Sequence, residues 1–203
     1  VIQLSFANVV SGVAQLAGLD RDALPNHFFK AVRDLADHRL SMAWNSEYWP
    51  ELIRIQEATV SKTNNAAPYF YNLANTVGEV LDVYSKNPES TTQTAPVAWK
   101  HGHDGNNRRI ILRGADTPVY IEYRLANPSL TESTTGAIDT AHDIPKIFQA
   151  YLIRSVFADY LKANGQVEQA MIEDANAESL LQLEADKVYR QAGQIRSVNM
   201  FTY

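Results

Sequence analysis

His101 and His103 stand two residues apart, and Asp104 follows them directly. On a strand, alternate residues face the same way, so the two imidazoles would share a side with a carboxylate close by. These are donor types that a zinc site uses. The surrounding run, His101-Gly102-His103-Asp104-Gly105-Asn106-Asn107, is turn chemistry, and no third ligand can be picked out by spacing. An exposed polar turn describes it better than a metal site. Cysteine is absent, which removes thiolate zinc sites, iron–sulfur clusters, disulfides and cysteine nucleophiles together. Glu168, Glu173, Asp174, Glu178, Glu184 and Asp186 crowd one segment. A catalytic carboxylate pair needs one member desolvated to raise its pKa. Nothing marks such a member here, and a solvated helix face accounts for the set.

Arg108, Arg109 and Arg113 form the one concentrated basic patch. Arg109 and Arg113 would share a strand face, a geometry suited to phosphate or to an acidic protein surface. Against nucleic acid stands the overall balance of 18 Lys+Arg to 23 Asp+Glu, a net charge of −5. Trp44, Tyr48 and Trp49, joined by Tyr69, Phe70 and Tyr71, could stack on sugars, but aromatics where a helix exits into strands more often form core. Glycine-rich phosphate loops, dinucleotide turns, nucleophile elbows and HExxH are all missing from the sequence. No cofactor, no metal and no enzyme class is expected.

The elements that must carry these residues follow from periodicity. The 203 residues, 45% of them hydrophobic, can bury an ordinary core. Val1 to Leu19 lacks charge, yet Gln3, Ser5, Asn8, Ser11 and Gln15 interrupt it, which argues against a signal or membrane segment. Phe6, Val9, Val10, Val13 and Leu16 instead recur at helical spacing, with Ser5 as N-cap and Gly18 as stop. A second helix is predicted from Leu24-Pro25 to Trp44, with Asp22 as a possible cap. Pro50 then ends helical structure. Leu52 to Val60, Val77 to Tyr84, Arg109 to Arg113 and Val119 to Arg124 read as short strands. Asn64-Asn65, Asn87-Pro88, His101–Asn107, Asp116-Thr117-Pro118 and Asn127-Pro128 read as turns between them. After Thr140 helices return: one capped by Asp143 and ended by Asn164-Gly165, then one from about Gln166 to Ala192 with Gly193 at its end. So short a joint makes these two an antiparallel hairpin.

The expected fold class is α+β, mainly α. Two N-terminal and two C-terminal helices would form an antiparallel four-helix bundle, with a small antiparallel β-sheet or open barrel inserted between its halves. The expected organisation is residues 1–49 and 140–193 as the two halves of the bundle, 50–139 as the β-rich insertion, and 194–203 as a C-terminal docking tail. That tail presents Ile195, Val198, Met200, Phe201 and Tyr203 to a partner, and Ser197 to Tyr203 contains neither charge nor Pro.

The run Ala43-Trp44-Asn45-Ser46-Glu47-Tyr48-Trp49-Pro50-Glu51-Leu52 resembles the helix-to-strand exit of head–tail connector (adaptor) proteins of tailed bacteriophages. Gly78-Glu79-Val80-Leu81-Asp82-Val83-Tyr84 with Asn87-Pro88 is similar to their β region. Asp143-Ile144-Pro145-Lys146-Ile147-Phe148, Asn164-Gly165-Gln166-Val167-Glu168 and the alanine- and glutamate-rich last helix resemble their C-terminal hairpin. The resemblance implies a structural virion protein at the head–tail neck. It would form a ring of itself, usually a dodecamer, and join the portal protein to a downstream tail or nozzle protein. DNA would pass through such a ring without specific binding, and no membrane would be involved. The tail residues and the Arg108, Arg109 and Arg113 patch are the expected partner contacts. A carbohydrate- or ligand-binding module built on the β-region aromatics is the alternative.

Overall fold

Three or four residues separate successive buried side chains along α-helical stretches, as in Phe28, Val32, Ala36, Leu40 and Ala43. The computed structural model describes residues 3–20, 23–63, 66–90, 96–105, 107–113, 118–128, 130 and 143–199. In chain order these form β1 (Gln3–Ser5), α1 (Phe6–Leu16), α2 (Asn26–Ser46), β2 (Ile53–Ala58), β3 (Ser61–Thr63), β4 (Ala66–Asn72), β5 (Val77–Tyr84), β6 (Trp99–Asp104), β7 (Asn107–Leu112), β8 (Val119–Leu125), β9 (Asp143–Pro145), α3 (Gln149–Ala163) and α4 (Val167–Asn199). Short 3-10 turns occupy Pro50–Leu52 and Lys146–Phe148. The chain divides into two units, residues 1–51 with 127–203, and residues 52–126. The cap expected at Asp22, the turn at Asn64-Asn65, the turn residues Asn106, Asp116 and Thr117, and the tail residues Met200, Phe201 and Tyr203 lie outside the described residues.

In the first unit α3 is the hub. It packs against α1, α2 and most extensively α4, whereas α1 and α2 touch each other only lightly. Phe148 just before it and Tyr151, Leu152 and Val156 along it are buried. Trp49 meets Phe148 edge-on at 5.3 Å, and its indole N–H donates to the Ala43 carbonyl at 2.9 Å. That bond lets a large aromatic be fully buried without stranding a donor. On α4 the face toward α3 carries Ala170, Ala177 and Ala185, small enough for the two helices to approach closely. Gly165 closes the joint at φ +79°, while the Gly165 and Gln166 amides satisfy the last carbonyls of α3.

Among the described residues, the strands of the second unit all pair antiparallel. One sheet has the order β2-β8-β5 and the other β3-β4-β7-β6. Val80, Val83, Ile110, Leu112, Val119 and Ile121 from both sheets share a single core. The chain runs from β2 in one sheet into β3 in the other. A Tyr84–Pro96 bridge and the Val97 amide donating to the Val83 carbonyl at 2.8 Å tie β5 to the approach of β6.

The expected four-helix bundle with a small inserted sheet is therefore wrong. The helices do not surround one shared core as equals; three of them lean on α3. Among the described residues the β part has seven strands in two sheets, and a further two-stranded sheet, β1-β9, lies in the helical unit. Ser5 and Asp143, expected to cap helices, pair with each other in that ladder. Strands β4 and β6 were missed because Ala66-Ala67-Pro68 and Lys100-His101-Gly102-His103 have poor strand propensity. Pairing of both strands with β7, and for β6 the Gly105 hairpin turn at φ +58°, override that propensity. The last helix also runs past Gly193 to Asn199, since one glycine costs a helix interior only about 1 kcal/mol. Ile195 and Val198 thus belong to α4 rather than to a separate tail.

Candidate functional site

Pairing across the four-stranded sheet sorts its residues by face. Tyr71, Ile110 and His101 are cross-strand neighbours, as are Phe70, Ile111 and Lys100 on the opposite side. Ile110 and Leu112 are buried, so the row with Phe70, Ile111 and Lys100 looks outward. Arg109 shares this outward face beside Asn72 and Gly102. Arg113 continues it, its amide donating to the Ala98 carbonyl at 3.3 Å. Ile111 lies over Gly102: a Cβ there would stand 2.6 Å from Ile111 Cδ1 and push that side chain to a new rotamer. The Arg109 guanidinium lies 5.3 Å over the Phe70 ring and reaches Asp104 at 3.2 Å. Arg108 sits on the other side of the strand and donates to the Gly78 carbonyl at 2.8 Å. The structure thus brings Arg109 and Arg113 together and sends Arg108 elsewhere.

The histidines are on β6, an edge strand, not in a loop. His101 packs edge-on against Trp99 at 4.9 Å, and Asp104 is engaged by Arg109. Among the described residues no group of three His, Cys, Asp or Glu side chains surrounds a metal position. Trp44 and Trp49 pack on Phe148 in the helical unit, while Tyr69 and Tyr71 pack on the β core, so the aromatic set is split between the two units.

The carboxylates of α4 also divide. Glu173 pairs with Arg154 at 2.6 Å and Glu184 with Lys187 at 2.6 Å. Asp174 joins a network that sequence spacing did not reveal. Arg39 of α2 is buried and holds Asp159 of α3 in a fork at 2.6 and 2.7 Å, with Asp174 at 2.9 Å. Lys162 closes the group, 3.0 Å from Asp174 and 3.6 Å from Asp159. The hydrogen bonds that Arg39 donates to Asp159 raise its pKa further against the opposing effect of burial. Burial would push the Asp159 pKa up, but the hydrogen bonds and charge of Arg39 and Lys162 outweigh it and hold it low. The one local clue was an arginine inside the apolar register of α2, between Ala36 and Ala43.

On the opposite side of α4, Glu168, Glu178 and Asp186 are exposed. Between and beside them Val167, Met171, Ile172, Leu183 and Tyr189 are each more than half exposed. Tyr189 donates to Glu47 at 2.6 Å, which raises its pKa and ties the helix to the end of α2. Isolated exposed apolar residues are ordinary; here Val167, Met171 and Ile172 gather in the first turns of α4, with Leu183 and Tyr189 farther along it. No protein-family model matches this chain, and no curated protein matches it either.

Proposed function

We propose that this chain is a structural, non-enzymatic subunit of a phage head–tail connector, a ring that joins the portal to the tail and surrounds the DNA passage. The observation that carries the reading is α4. Up to Arg190 it turns Ala170, Ala177, Leu181 and Ala185 inward and leaves Met171, Ile172, Leu183 and Tyr189 exposed on the rest of its circumference. A helix so divided has one side for its own fold and one for a neighbour. The sequence resemblance supplies the context of a portal vertex. The aromatics that a ligand-binding module would use are instead largely taken up by packing on the two cores.

Native mass spectrometry of the purified full chain, alone and with a portal protein, tests this directly. A ring that adds to the portal is expected. A chain that neither self-associates nor binds a portal under any salt condition would overturn the connector role.

A further inference from the structure

We propose that the outward face of β4, β7 and β6 in one subunit docks on the outer face of α4 in the next, so that copies join head to tail. This rests on the connector reading only in requiring a second copy of the chain. The β unit carries eight Lys and Arg against seven Asp and Glu, whereas the helical unit carries ten against sixteen. Those charges are placed to meet. Lys100, Arg109 and Arg113 surround Phe70 and Ile111 on the sheet face, with Asp104 as the one acid among the described residues there. Glu168, Glu178 and Asp186 flank Met171, Ile172 and Leu183 on the helix.

Spacing agrees with charge. Arg109 and Arg113 are four strand residues apart, about 13 Å along the chain. Glu178 and Asp186 are eight helical residues apart, about 12 Å. Between them the helix surface is low, with a shallow groove lined by Glu178, Ser179, Gln182 and Leu183. The Ser179 hydroxyl donates to the Ala175 carbonyl, so it makes no demand on a partner.

A second copy fits better than nucleic acid. The Phe70 ring already carries the Arg109 guanidinium, which occupies a face that a base would stack on. An acidic apolar helix gains nothing from DNA, while one self-contact covers both surfaces. Because the two surfaces differ, the contact is heterologous and generates a closed ring or an open filament.

The test uses the full chain and two charge reversals at exposed positions, Arg113→Glu and Glu178→Arg, with mass photometry as readout. Each reversal should weaken self-association by about tenfold or more, and the two combined should restore it. Circular dichroism confirms folding. Because the chain has no cysteine, single-cysteine variants Arg113→Cys and Glu178→Cys give an independent arm. Mixed together, they should cross-link through a short bis-maleimide, and neither should do so efficiently alone. Reversals that assemble like the wild type, no restoration in the pair, or no mixed cross-link would overturn the docking. So would a wild-type monomer, or duplex DNA binding that Arg113→Glu abolishes while assembly is unchanged. Portal attachment by a monomer, or by a ring built on other faces, would sink this interface and spare the connector role. Rings formed through these faces that ignore a portal would do the reverse.

Discussion

Truncating Arg39 to alanine should cost the helical unit about 3 kcal/mol. The Arg39 side chain is 9% exposed and makes contacts at 2.6 Å to Asp159 and 2.9 Å to Asp174. Removing it leaves two carboxylates, 17% and 29% exposed, with Lys162 as the cation still beside them. Breaking a fully buried pair typically costs about 3–5 kcal/mol because a charge is stranded. Partial exposure and the remaining lysine pull this case toward the lower end, while loss of the buried aliphatic stem adds about 1 kcal/mol. The assay is urea unfolding followed by tryptophan fluorescence in a Trp99→Phe background. Trp44 and Trp49 then report on the helical unit alone, which matters because two units need not unfold together. Adding Asp159→Asn to Arg39→Ala should recover part of the loss, since the stranded charge is gone. A loss below about 1 kcal/mol, or no recovery in the double variant, would show that water already solvates these carboxylates.

The same network predicts acid sensitivity: with the Asp159 pKa held low, its stabilisation is complete above about pH 4 and lost as pH falls through the lower folded value. Arg39→Ala should flatten that acid limb, and an unchanged limb would reject the assignment. Phe148→Ala should cost about 2–5 kcal/mol, because it opens a cavity beside Trp44 and Trp49; a cost under about 1 kcal/mol would place Phe148 outside the core. Gly78→Ala should destabilise the β unit more than Gly105→Ala, although only Gly105 has positive φ. A Cβ at Gly78 would lie 2.8 Å from the Leu125 carbonyl oxygen, whereas the space at Gly105 is open. Equal melting temperatures for the two would refute that ranking. Deleting Ser197 to Tyr203 should leave the melting temperature of the monomer and self-assembly unchanged while weakening portal attachment, as read by differential scanning calorimetry and native mass spectrometry. A large drop in melting temperature, or undiminished portal attachment, would reject the docking role of this segment.

What the sequence determined by itself was local. The 3.6-residue recurrence from Phe6 to Val13, from Phe28 to Ala43 and along the last two helices placed four helices, because each buries a face set by its own spacing. The alternation in Val119 to Arg124 located β8, and Asn164-Gly165 marked the joint before α4, for the same reason. Tertiary structure alone decided what those faces meet. Arg39 finds Asp159 across 120 residues, and Ser5 pairs with Asp143, contacts that no window of sequence contains. The edge strand β6 exists because β7 offers it a ladder, not because Lys100-His101-Gly102-His103 prefers to be extended. The candidate surface followed the same division. That Arg109 and Arg113 share a face was legible from their spacing, but the Phe70 ring beneath Arg109 arrives from a different strand. Spacing speaks for neighbours along the chain, and only the folded sheets and helices bring distant side chains into contact.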